Sequence, residues 1–112
     1  MKLVTFAHSG NTRIGVVVDG EVADGCRAPV PQEMIELIAA GRPALQALKV
    51  LVDSKAHRIP VDEVLLRAPV LRPGKFLAIG LNYLEHIEET ELKPPEFPVF
   101  FNKQTTCVNG PY

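Results

Sequence analysis

No tryptophan occurs in the 112 residues, and only two cysteines do. Cys26 and Cys107 lie far apart and match no zinc-binding or redox spacing. Neither a disulfide framework nor a thiolate metal site is read from them, and reduced thiols in a cytoplasmic protein are expected. Charge of one sign is also missing. Twelve Lys and Arg against thirteen Asp and Glu leave a formal net charge of −1, with the basic residues scattered. A nucleic-acid partner therefore has no electrostatic footprint. No apolar run approaches the roughly 20 residues of a membrane span, and no membrane partner is expected. The opening Met1-Lys2-Leu3-Val4-Thr5-Phe6 lacks the apolar core and small-residue cleavage site of a signal peptide. Gly10, Gly15 and Gly20 do not form a phosphate loop, and Ser9 and Ser54 lack a nucleophile signature.

What is present is an ordinary globular balance, 46% hydrophobic and 22% charged, in a chain with room for one small domain and the opening of another. Ten prolines are spread along it, so they punctuate a fold and do not mark a disordered tract. Lys2 to Ala7 and Arg13 to Val18 read as strands joined by the turn residues His8-Ser9-Gly10-Asn11. Asp19-Gly20 closes a tight hairpin into Glu21-Val22-Ala23, because this pair accepts positive φ. Met34, Ile35, Leu37 and Ile38 make an apolar helical stripe that ends near Gly41. Pro43 opens a second helix, in which Leu45, Leu48, Leu51 and Val52 recur at helical intervals. Val64 to Leu66 is a strand candidate. Two prolines stiffen the following Ala68 to Gly74, and a domain boundary is placed within Arg67 to Gly74.

Beyond it, Lys75 to Gly80 and Pro98 to Lys103 read as strands, with a short helix over Asn82 to Glu89 between them. The glycine ending the first of these strands is expected to let the backbone turn sharply. On the helix, His86 and Glu89 are three positions apart and share a face. A carboxylate there can hold one imidazole nitrogen and leave the other free to take a proton, which makes the pair a candidate general base. The same residues also read as a surface histidine beside a solvated acidic patch, since Glu85, Glu88 and Glu91 crowd the stretch. From spacing alone the plainer reading has the better claim. His8 and His57 are expected as a turn residue and a surface residue.

Two stretches carry a resemblance. KFLAIGLNYLEH, from Lys75 to His86, and PEFPVFFNKQTTCVNGPY, from Pro95 to Tyr112, are similar to segments of the fumarylacetoacetate hydrolase family. There a strand ends in Gly-x-Asn-Tyr, a histidine follows three residues later, and a Pro-x-x-Pro-Val-x-Phe-x-Lys stretch comes downstream. The likeness covers about residues 68–112, and the earlier part resembles the family's more variable N-terminal domain.

The resemblance implies an α+β fold: a small N-terminal domain over 1–67, a β meander with short helices, then the first strands of a β-rich mixed roll over 68–112. It implies that His86 and Glu89 are a catalytic pair on a lid helix that activates water, and that Lys103 faces the substrate. Lys103 also reads as an edge-strand lysine that discourages unwanted pairing. Asn82 and Tyr83 are expected to shape the pocket wall, or to serve as a helix cap and a half-buried aromatic. In the family the magnesium, manganese or calcium is held by a Glu-x-Glu pair and a later Asp, all downstream of the turn at Asn109-Gly110. The crowded Glu88, Glu89 and Glu91 have no Asp to complete a set, so no metal ligand is assigned to these residues.

The expected substrates are small 2-oxo or 1,3-dioxo acids. The expected reaction is hydrolysis of an acylpyruvate-type C–C bond, or a related isomerisation or decarboxylation, in a homodimer. The alternative is a non-catalytic N-terminal module that supports packing and dimerisation. The ending at Gly110-Pro111-Tyr112, just after a turn dipeptide, is expected to be that of a fragment, inactive by itself, with unpaired strand edges and exposed apolar faces at Phe100 and Phe101.

Overall fold

The computed structural model describes residues 1–111; Tyr112, the last residue of the second family-like stretch, lies outside them. The chain divides into two compact units, Met1–Leu71 with the stretch from Asn109, and Arg72–Val108.

The first unit is built on a five-stranded antiparallel sheet. β1 (Lys2–His8) and β2 (Asn11–Val18) pair from Lys2↔Val17 to His8↔Asn11. The two-residue turn at Ser9-Gly10 has φ of 50° and 77°. Asp19-Gly20, at 53° and 80°, makes the matching turn into β3 (Glu21–Asp24), the geometry that suits the twist of paired strands. Two later, short strands close the sheet: β4 (Arg58–Pro60) beside β3 and β5 (Leu65–Leu66) beside β1. The hairpins agree with the sequence pattern. β4 does not announce itself, being three residues long with a proline at its outer end.

Cross-strand partners share a face, and the face alternates along each strand. One face therefore presents Leu3, Thr5, Ile14, Val16 and Ala23, and it packs on α1 (Met34–Asp53). That helix breaks at Gly41 (φ 64°, ψ −143°), and Pro43 begins its second half, which is the division into two short helices read from the sequence. Met34, Leu37, Ala44, Leu48 and Leu51 are its buried residues.

The opposite face carries Phe6, Gly15 and Val22, and here Phe6 and Val22 are fully buried as well. Gly15 makes this second layer possible. A Cβ at that position would stand 2.6 Å from Val22 Cγ1 and 2.9 Å from Phe6 Cε1. Gly15→Ala is therefore expected to cost about 1–3 kcal/mol by overpacking, read as a lower denaturant midpoint with an unchanged slope. An unchanged midpoint would mean that the two side chains retreat freely.

Packing of the first unit continues past β5. The Arg67 N–H donates to Thr5 O at 2.8 Å, the Thr5 hydroxyl donates to Pro69 O at 2.7 Å, and Ala68 is buried.

In the second unit, β6 (Leu77–Gly80) and β7 (Val99–Asn102) form an antiparallel pair with Ile79 opposite Phe100 and Ala78 opposite Phe101. Lys103 extends the ladder by donating its N–H to Phe76 O at 2.7 Å. α2 (Leu84–Glu89) lies between the two strands in sequence. No helix of the described residues is long and apolar enough to cross a membrane.

Candidate active site

The chain leaves β6 through Gly80, but the sharp turn expected at that glycine is made one residue later. Leu81 takes the left-handed conformation (φ 50°), and Gly80 does not. A non-glycine residue there costs about 1–2 kcal/mol, and strain of this kind persists only where the surroundings impose it.

Asn82 and Tyr83 follow, then α2. Tyr83 is the N-cap residue and offers no side-chain cap, while Thr90 closes the other end, its hydroxyl donating to His86 O at 3.1 Å and Ile87 O at 3.0 Å. A helix this short has little stability of its own. Its single buried residue is Ile87, 6% exposed, which anchors it beside a groove of about 540 Å³. The groove's walls include Ile79 and Phe100 from the strands, Phe97 and Pro98 from the proline-rich loop, and Asn82.

Anchoring through Ile87 leaves His86 and Glu89 facing outward. His86 Nδ1 lies 3.8 Å from Glu89 Oε2, with the two side chains 60% and 76% exposed. The distance is that of an ion-pair neighbour and too long for a hydrogen bond. Catalytic hydrogen bonds often shorten only when substrate is bound.

The residues singled out in the sequence are thus brought together unequally. His86 and Glu89 are neighbours, and Asn82 lines the groove. Tyr83 is exposed and does not line it. Lys103 belongs to the other face of the ribbon. By strand alternation it sits with Phe101 and Phe76, whereas Ile79 and Phe100 face the groove. Its ammonium lies 5.8 Å and 6.0 Å from the centres of the Phe76 and Phe101 rings, a cation–π arrangement.

Among the described residues, no three His, Cys, Asp or Glu side chains converge to hold a metal ion. The acidic residues of α2 do not form a cage, so the divalent ion implied by the resemblance finds no ligand set here.

The first unit holds a charged cluster that the sequence reading overlooked. Arg13 Nε and Nη2 donate to the two carboxylate oxygens of Asp24 at 2.8 and 2.7 Å, and the guanidinium lies 5.0 Å from the centre of the Phe6 ring. The two side chains are 14% and 8% exposed. Burial alone would push the Asp24 carboxyl up, but hydrogen bonds from Arg13 and Cys26 outweigh it and hold the group below its ordinary value. The Asp24 partnership raises Arg13 in turn. Desolvation and Asp24 push the Cys26 thiol up, away from the thiolate that a nucleophile would need. This cluster is structural. The hairpin register that produces it could have been read from Asp19-Gly20.

No family model matches the chain. Individual proteins do. The mitochondrial oxaloacetate tautomerase fahd2 of Xenopus laevis is 33% identical over 99% of this chain and 37% of its own length. A fumarylacetoacetate hydrolase domain-containing protein 2 homolog of Dictyostelium discoideum is 29% identical, over 99% of this chain and 38% of its own. Among solved structures, maleylpyruvate hydrolase from Sphingobium sp. SYK-6, in complex with manganese(II) and pyruvate, superposes with a TM-score of 0.75 at 29% identity. That match covers 99% of this chain and 40% of the hydrolase. The chain therefore spans a little over a third of the length of the curated relatives it matches. Over that span sequence and fold agree, and the chain belongs to the fumarylacetoacetate hydrolase family.

Proposed function

We propose that this stretch supplies the proton-transfer half of an enzyme acting on small 2-oxo or 1,3-dioxo acids, with hydrolysis of an acylpyruvate-type C–C bond as its reaction. The observation that carries the reading is the His86–Glu89 pair, 3.8 Å apart on a helix hung by one buried isoleucine beside an open groove. In this reading Glu89 orients the imidazole, and His86 takes a proton from the attacking water. Water attack on the acyl carbonyl and cleavage of the adjacent C–C bond release a carboxylic acid and the enolate of a 2-oxo acid, which is then protonated. Asn82 contributes to the groove wall and Tyr83 to its approach. Lys103 sits on the face of the ribbon opposite the groove and is given no contact with a substrate held there. Relatives named as an oxaloacetate tautomerase and a maleylpyruvate hydrolase support the oxo-acid class.

A divalent cation, magnesium, manganese or calcium, belongs to the proposal for the whole enzyme, held by residues outside this stretch. The 112 residues alone are then expected to be inactive, acting as a packing and dimerisation module.

The test is an acetylpyruvate assay with added magnesium or manganese, on this chain and on a protein of full family length that carries it. Turnover is expected only in the longer protein, and a chelator should abolish it. Comparable turnover by the 112 residues would overturn the division, and chelator-resistant turnover by the longer protein would overturn the metal requirement.

A further inference from the structure

We propose that Asn109 is a site of spontaneous modification, at which the backbone nitrogen of Gly110 closes on the asparagine carboxamide and converts it to aspartate and isoaspartate. The carboxamide already lies beside the attacking nitrogen. Gly110 N–H donates to Asn109 Oδ1 at 2.9 Å, so the side chain is folded back over the following peptide nitrogen. Gly110 has no Cβ to obstruct that approach. Asn109 is exposed and lies outside any helix or strand.

The other three asparagines lack this combination. Asn11 and Asn102 are held in β2 and β7 and precede Thr12 and Lys103, and Asn82 precedes Tyr83. The Asn11 amide is moreover turned toward Ser9, donating to its carbonyl at 3.2 Å.

The chemistry needs only water and base. Hydroxide takes the Gly110 amide proton, the nitrogen bonds to Cγ of Asn109, and the Cγ–Nδ2 bond breaks as ammonia leaves with a proton from solvent. Water then opens the five-membered imide. Attack at Cγ gives aspartate; attack at the backbone carbonyl gives isoaspartate, in which the main chain runs through Cβ and Cγ. The balance is one water gained and one ammonia lost.

The location gives the change a structural effect. Gly110 is tucked against the end of β5, where a Cβ would come within 3.1 Å of Leu66 O and 3.3 Å of Arg67 Cα. The extra main-chain carbon of isoaspartate enters immediately before this close contact, so the aged segment can no longer lie on Leu66 to Ala68 as it does here.

The purified chain is incubated at mildly alkaline pH, folded and in strong denaturant. Samples are followed by peptide mass and by methyl transfer from a protein-isoaspartate methyltransferase. The peptide containing Asn109 is expected to change first, faster as pH rises, and no more slowly in the folded chain than in the unfolded one. Protection by folding of about tenfold or more, the mark of a segment that must open before reacting, would overturn the proposal. So would earlier conversion at Asn11, Asn82 or Asn102. Asn109→Gln, whose closure needs a less favourable six-membered ring, should remove the signal while leaving the circular dichroism spectrum unchanged. A persisting isoaspartate signal in that variant also counts against the proposal.

Discussion

Arg13→Ala is expected to destabilise the N-terminal unit by about 3 kcal/mol, within the range for breaking a buried ion pair. A unit of this size has a total stability of only about 4–10 kcal/mol. The loss is large because truncation leaves the 8%-exposed Asp24 carboxylate without the two hydrogen bonds that compensate its burial. The Phe6 ring also loses the cation above it.

The pH dependence separates this cause from a simple loss of packing. Asp24 is held below the ordinary carboxylate value, so its contribution is fully present above about pH 4 and is lost as pH falls through the folded value. In the variant only the hydrogen bonds from Cys26 still oppose burial, so the carboxylate is less favoured and acid costs the fold less than it costs the wild type. The stability gap between wild type and Arg13→Ala should therefore be widest near neutrality and narrow progressively in acid. Arg13→Ala combined with Asp24→Ala should be less damaging than the sum of the two single changes. Denaturant titrations across pH read both quantities. A gap independent of pH would show that the pair contributes shape and not charge.

This pair illustrates how much of the structure is legible in the sequence. Asp19-Gly20 sets a two-residue turn, which fixes Val18 opposite Glu21 and so Gly15 opposite Asp24. Arg13 is then the diagonal neighbour of Asp24 on the same face, and the contact follows from register alone. Likewise Gly41 and Pro43 mark the break in α1 by their own backbone chemistry. β4 is different: three residues cannot display a period, and their pairing is decided by where α1 returns the chain to the sheet.

In the second unit the strands and the short helix are local and readable, but the side on which the groove opens is not. Alternation already separates Lys103 from Phe100. Which of the two faces is the groove depends on how the loop carrying Pro94, Pro95 and Pro98 folds back, and no local pattern encodes that. The turn at Leu81 was hidden for a related reason. Glycine is the residue that tolerates positive φ most cheaply, so the sequence points to Gly80, while the tertiary arrangement places the strain on its neighbour.

The functional proposal makes its strongest demand on one side chain. In a protein of full family length carrying this stretch, His86→Ala is expected to lower kcat/KM for an acylpyruvate by about 100- to 10,000-fold, the range for removing a positioned general base. The His86 side chain is 60% exposed, so the melting temperature should change little. Affinity for the divalent ion should not move either, since in the proposed reading the ion is held by residues outside this stretch. Glu89→Gln keeps the side chain's size but removes the charge that orients the imidazole, and it should give a smaller loss, mainly in kcat. Ile87→Ala supplies the contrast. It removes the single buried residue of α2 and should impair the helix as a whole, weakening substrate capture together with turnover. A base acting on water can also be replaced from solution, so added imidazole should restore part of the His86→Ala activity and none of the Ile87→Ala activity. If His86→Ala weakens metal binding as much as it weakens turnover, the histidine is a ligand or a structural prop, and the general-base role is wrong. If it changes neither, His86 and Glu89 are a solvated surface pair, and the second unit contributes a scaffold to a reaction carried out elsewhere in the longer protein.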